Sequence, residues 1–203
     1  MAEITPLNLK GCKVYKGYLD KSAQHSLLGD VRSIVGKAPL FSPMTPWGKP
    51  MSVKMTSAGK YGWYSDKTGY RYSTQHPNGV EWPEIPLTIL KIWNELCPDS
   101  PRPECCLVNF YQDGAKMGLH QDKDEKDFSH PVLSISLGDD ALFRMGGVQK
   151  NDSTESVWLS SGDILVMGGE SRLAYHGIDR VKFGSSQLLK AAGRINLTLR
   201  VVD

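Results

Sequence analysis

From Cys105 onward the chain breaks into short runs that a helical fold cannot use. CLVNFY, HPVLSISLG, ALFRMGG, SVWLSSGDILVMGG and RINLTLRVV are rich in β-branched and apolar residues and are parted by Gly, Asp, Asn and Ser. They recur about every 10 to 20 residues with no helical apolar period between them, which predicts an antiparallel sandwich or barrel. Two amphipathic stretches precede them. DKSAQHSLLGDVRSIVGKAP sets Ala23, Leu27, Val31 and Ile34 at helical spacing, with Asp20 as cap and Pro39 beyond the end. Residues 84–97 put Ile85, Ile89, Ile92, Trp93 and Leu96 on one face, as expected of a second helix packed on a sheet. No repeat or low-complexity linker divides the 203 residues, so one domain with elaborations is expected. Its parts are an N-terminal extension (1–40), an aromatic segment (41–82), a helix and linker (83–104) and the β core (105–203).

A net charge of +2 is too small to attract a polyanion through bulk field alone, so nucleic-acid binding must rest on local clustering. Cys12, Cys97, Cys105 and Cys106 form no C-x-x-C pair, and neighbours in sequence make an awkward disulfide. With neither a signal-peptide core nor a membrane-spanning run, a reducing cytoplasm is expected, or a nucleus in a eukaryote.

The segment from Phe41 to Trp82 holds eight of the eighteen aromatic residues. It also carries Lys49, Lys54, Lys60, Lys67 and Arg71 against only Asp66 and Glu81. Composition allows two readings: a β-meander whose rings pack on the core, or a basic aromatic platform that stacks exposed bases.

HQDKDE, residues 120–125, sets acid beside a histidine in a chain with only five. In an extended segment residues i and i+2 share a face, so His120 and Asp122 can reach one ion while Gln121 points away. A distant histidine would complete the two-His-one-carboxylate triangle of non-haem Fe(II) oxygenases, and His176 in SRLAYHGI is the natural candidate. His25 sits in the first helix, and His76 and His130 precede prolines, so these three read as surface or turn residues. A structural zinc on the same three side chains stays open on these grounds.

In RINLTLR, Arg194, Asn196, Thr198 and Arg200 alternate with Ile195, Leu197 and Leu199. Water on one side of a sheet would explain the alternation. Alternatively, two arginines about 20 Å apart at their α-carbons, with side chains of roughly 7 Å leaning inward, could bracket a short dicarboxylate. CLVNFY repeats the pattern, with Leu107, Asn109 and Tyr111 on one face.

Taken in order, NFYQDGAKMGLHQDKDE, LSISLG, GDILVMGGESRLAYHGI and RINLTLR closely resemble the AlkB family of Fe(II)- and 2-oxoglutarate-dependent dioxygenases, its bacterial alkylation-repair members above all. Through MSVKMTSAGKYGWYSDKTGYRYS the resemblance extends back to about residue 43. It implies a mainly β fold with flanking helices: a double-stranded β-helix (jelly-roll) core under a nucleotide-recognition lid. It implies His120, Asp122 and His176 as iron ligands and O2 as co-substrate. Arg194 and Arg200 would bind the carboxylates of 2-oxoglutarate, with Leu107, Asn109, Tyr111, Ser134 and Asn196 lining its pocket.

The same resemblance implies oxidative demethylation of 1-methyladenine and 3-methylcytosine in single-stranded DNA, also in RNA, by a monomer, with double-stranded DNA reached by base flipping. Trp63 would be the aromatic wall, with the His120 ring opposite. Tyr70 would touch the backbone, and Thr45, Met51 and Met55 the base or its neighbours. Asp124 would face the exocyclic amine and positive charge of the damaged base, with Glu125 adding to the local field. Lys150 stands where bacterial members carry an arginine near the base edge. It keeps the charge and loses the planar fork.

Overall fold

The computed structural model describes residues 5–45 and 47–203. The chain runs through β1 (Leu7–Leu9), β2 (Cys12–Tyr15), α1 (Lys21–Lys37), β3 (Val53–Gly59), β4 (Gly62–Asp66), β5 (Gly69–Ser73) and α2 (Leu87–Leu96). The remainder is strand after strand: β6 (Cys105–Tyr111), β7 (Met117–His120), β8 (Val132–Gly138), β9 (Asp140–Met145), β10 (Glu155–Leu159), β11 (Ile164–Met167), β12 (His176–Lys182) and β13 (Arg194–Arg200). One short 3-10 turn, Gly169–Ser171, interrupts them. Pairing is antiparallel, in a seven-stranded sheet ordered β1-β2-β11-β8-β13-β6-β3 and a four-stranded sheet ordered β10-β9-β12-β7. The hairpin of β4 and β5 stands apart from both.

The two helices form as their spacing predicts. Asp20 caps α1 by accepting the Ala23 amide at 2.8 Å, and Pro86 precedes the first turn of α2. Their apolar faces meet the outer face of the large sheet. Leu27, Val31, Ile34, Ile89 and Trp93 share one buried cluster with Val108, Leu133, Ile135, Leu197 and Leu199. Burial of each such side chain contributes roughly 1.5–3 kcal/mol. The inner face packs on the small sheet, where Leu107, Tyr111, Leu165 and Met167 join Phe143, Met145, Leu159 and Ile178. The jelly-roll expectation is met.

Strand β13 differs from the cheaper reading of its alternation. All seven residues are buried. The apolar side faces the helices, and the polar side faces the space between the sheets rather than water. Two segment boundaries shift as well. Val53–Gly59 is the edge strand of the large sheet, paired with β6, so only the β4–β5 hairpin and the turn before β3 stand as a lid. At the opposite edge, β2 pairs with β11, which makes the N-terminal segment part of the core sheet. The four cysteines are free and buried. Among the described residues, no helix is long and apolar enough to cross a membrane.

Candidate active site

His120 ends β7 and His176 begins β12, and the two are direct cross-strand partners. The strands approach closely because residue 177 is glycine: a β-carbon there would sit 2.5 Å from the Met117 carbonyl oxygen. Asp122 follows on the loop, with its carboxylate 3.7 Å from His120 Nε2 and 3.8 Å from His176 Nε2. The three ligand atoms all lie within 4.8 Å of one another. Each ring is oriented from behind. His120 Nδ1 lies 2.9 Å from the Gly118 carbonyl and His176 Nδ1 lies 3.0 Å from that of Ala174. With Nδ1–H donating, the Nε2 lone pairs of both rings point at one place. Burial pushes the His176 imidazole down to about 4 against a smaller opposing pull from Asp122, so the ring is neutral and free to ligate at physiological pH. Burial also opposes ionisation of Asp122, but Arg200 and the two imidazoles outweigh it and hold the carboxyl well below its usual range. Two imidazoles and one carboxylate on adjacent positions fit an Fe(II) ion with the opposite positions open.

A cavity of about 650 Å³ runs inward from this group. At its metal end Arg200 donates to Asp122 at 2.8 Å through Nη2 and at 3.2 Å through Nε. At its far end stands Arg194, wholly buried and, among the described residues, without a carboxylate partner. Its Nη2 donates to Ser136 Oγ at 2.9 Å, and among the described residues Nε has no partner. Burial lowers its guanidinium to about 10. An unpaired buried cation is costly, and an anion entering the cavity would relieve that cost. Between the two arginines lie Asn109, Tyr111, Ser134, Asn196 and Thr198, on an inner wall floored by Leu107. Asn196 donates to Ser134 Oγ at 2.6 Å and accepts from Thr198 at 2.9 Å, while Asn109 Oδ1 is buried with no partner. Two buried guanidinium groups, one with an Nε–H unpaired among the described residues, and the amide and hydroxyl donors between them fit a dicarboxylate the length of 2-oxoglutarate.

The β4–β5 hairpin lines the outer end. Trp63 on β4 stacks on Tyr70 of β5, ring centroids 5.4 Å apart and planes 20° apart. Its indole N–H donates to the Asp124 carboxylate at 2.9 Å. Thr45, Met51 and Met55 complete that part of the lining.

Two of the sequence-selected residues lie elsewhere. Glu125 is buried outside the cavity, held there by its partners. There it pairs with Arg172 at 3.1 Å and Arg200 at 3.3 Å and accepts from the Tyr72 hydroxyl at 2.5 Å, so its charge is spent on the scaffold and not on a base. Lys150 lies in the exposed turn between β9 and β10 and does not line the cavity. Conversely, sequence reasoning passed over Arg172, four residues before His176. It donates to the backbone carbonyl of Asp122 at 2.7 Å and to that of His130 at 2.8 Å. An arginine within the largely apolar run SRLAY was the available signal. Trp47 also stands at the cavity mouth.

Comparisons with known proteins agree with this geometry. The 2OG-Fe(II) oxygenase superfamily model matches residues 11–200. An alpha-ketoglutarate-dependent dioxygenase AlkB homolog of Caulobacter vibrioides is 52% identical over 94% of this chain and 87% of its own. The alpha-ketoglutarate-dependent dioxygenase AlkB of Escherichia coli is 40% identical over 88% of this chain and 85% of its own. The solved structure of OsALKBH1 superposes with a TM-score of 0.83 at 33% identity, covering 96% of this chain and 98% of that one. The chain is an Fe(II)-, 2-oxoglutarate- and O2-dependent dioxygenase and belongs to the AlkB family of the 2OG-Fe(II) oxygenase superfamily.

Proposed function

We propose that this dioxygenase removes methyl groups oxidatively from alkylated bases whose rings carry a positive charge, such as 1-methyladenine and 3-methylcytosine. The substrate is single-stranded DNA, with RNA and flipped-out duplex bases as further targets, and the outcome is direct reversal of the damage. The observation that carries this reading is the tie between Trp63 and Asp124 across from the metal ligands. A flat wall and a fixed carboxylate at one pocket mouth suit a planar cation. The Trp63 and His120 rings would sandwich the base while Asp124 accepts from its exocyclic amine. Tyr70 would meet the backbone, and Thr45, Met51 and Met55 the base edge and its neighbours. Methionines suit a pocket that admits more than one base.

His120, Asp122 and His176 would hold the iron. Arg194 and Arg200 would bind the two ends of 2-oxoglutarate, with Leu107, Asn109, Tyr111, Ser134 and Asn196 along its length. When bound, iron and 2-oxoglutarate supply with O2 the oxidation that hydroxylates the N-methyl group, which then leaves as formaldehyde, with succinate and CO2 as coproducts. The protein's part is to orient the methyl group, exclude water through the lid and keep the cationic base in place.

Mass spectrometry of a single strand bearing one 1-methyladenine tests this. Loss of one methyl mass is expected only with Fe(II), O2 and 2-oxoglutarate together, and not with the Asp122→Ala variant, whose fold is checked by circular dichroism. Succinate formation beside an untouched strand would keep the dioxygenase and reject the base.

A further inference from the structure

Trp47 is the most uncovered large apolar side chain among the described residues, at 83% exposed. It lies at the mouth of the active-site cavity with Tyr70 and Leu119, both of which also stand exposed. The indole is not carried on a loose loop. Thr45 N–H donates to the Lys49 carbonyl at 2.8 Å, Gly48 N–H to the Thr45 carbonyl at 2.8 Å, and Lys49 N–H to Thr45 Oγ1 at 3.1 Å. Gly48 takes a φ of 76°, which closes the turn where a side chain would be strained. The turn is seated on β4 through Met44 N–H to the Ser65 carbonyl at 3.1 Å and Ser65 Oγ to the Met44 carbonyl at 2.6 Å. Two cations flank it: Lys49 is part of the turn, and a β-carbon on Gly48 would meet Lys67 Cε at 3.5 Å.

An indole held out from a hydrogen-bonded turn buries almost no apolar surface, so packing does not account for it. We infer that Trp47 is a stacking platform for the nucleobase next to the damaged one, with Lys49 and Lys67 beside the intervening phosphate. This rests on the base-demethylation reading. When the damaged base enters the cavity against Trp63, its neighbour loses a stacking partner on one face. An aromatic plane at the rim replaces that partner without reading the neighbour's identity, because every base offers a π-face. Trp47 is thus a positioning residue for the strand and not for the methylated ring.

The test measures anaerobic affinity, so that no turnover occurs, using protein loaded with Fe(II) and 2-oxoglutarate. The probes are a three-nucleotide single strand with a central 1-methyladenine and the corresponding mononucleotide. Trp47→Ala is expected to weaken the trinucleotide by about 5- to 100-fold and the mononucleotide far less, and Trp47→Phe to restore most of the loss. Equal losses on both probes, or none on the trinucleotide, would overturn the assignment. Turnover of the trinucleotide by the unmodified protein in air separates the two readings. If its methyl group stays while Trp47→Ala still weakens binding selectively, the demethylation reading fails and the platform stands.

Discussion

The indole N–H of Trp63 donates to the Asp124 carboxylate across 2.9 Å, so the flat wall and the negative charge reach the pocket as one unit. Removing either should disturb the other. Asp124→Ala is expected to raise KM for a 1-methyladenine strand by about 10- to 100-fold, the range for losing a hydrogen bond to a charged group. A neutral methylated base should suffer much less. Trp63→Phe keeps a ring and frees the carboxylate, and should fall between. Steady-state kinetics on cationic and neutral lesions check both, and equal losses on the two lesions would sink the charge-recognition role.

Arg172 and Glu125 form an ion pair whose side chains are 3% and 1% exposed. Removing Glu125 leaves Arg172 only backbone carbonyls and removing Arg172 leaves Glu125 only Arg200 and Tyr72; either change under-compensates a buried charge, at a cost of up to about 3–5 kcal/mol. Glu125→Ala and Arg172→Ala should both lower the urea midpoint strongly. Arg172 also holds the Asp122 carbonyl, so Fe(II) affinity measured by titration should fall in Arg172→Lys even where the fold survives. A midpoint unchanged in both alanine variants would show the pair to be energetically idle.

Arg194 predicts an opposite pair of effects. Without ligand its buried charge has no carboxylate partner among the described residues, so Arg194→Met should leave the ligand-free protein as stable as before or more so. The same change should abolish the rise in Tm that 2-oxoglutarate gives the unmodified protein. Thermal unfolding with and without 2-oxoglutarate reads both effects. A variant still stabilised by 2-oxoglutarate would refute the clamp.

The His176 imidazole sits at about 4 in the folded protein against an ordinary value of 6.5. Because the folded value is the lower, acid protonates the unfolded chain first. Stability of the metal-free protein is therefore complete above pH 6.5 and drains as pH falls toward 4, by on the order of 3 kcal/mol from this group. Urea unfolding at pH 7, 6 and 5 should show the slope, and His176→Gln should flatten it. Parallel slopes in the two proteins would rule His176 out as its source.

Much of the fold and the site was legible because each rests on a period. The i, i+2 spacing of His120 and Asp122 and the alternation in β13 needed only the geometry of an extended chain. What alternation could not tell was which side met water. Alternation alone allows the polar face of β13 to be an outside or an inside, and it is an inside because the second sheet covers it. Glu125 failed for a related reason: beside Asp124 it reads as a second pocket acid, yet one step in sequence turns it toward Arg172 and Arg200. Strands β1 and β2 span three and four residues, too few for any period to register, and only their pairing identifies them. Arg172 gave no periodic signal at all. Its role depends on Glu125 and the Asp122 carbonyl, some fifty residues away in sequence.

Strand β13 separates an oily compartment from a reactive one, with Leu197 and Leu199 on one side and Asn196 and Arg200 on the other. Were its pairing with β6 and β8 to slip by one residue, the guanidinium groups would plunge among the helices and leucines would floor the oxidation chamber. The choice of co-substrate is therefore fixed by backbone alignment as much as by side-chain identity. An insertion or deletion within β13 would thus erase the enzyme outright.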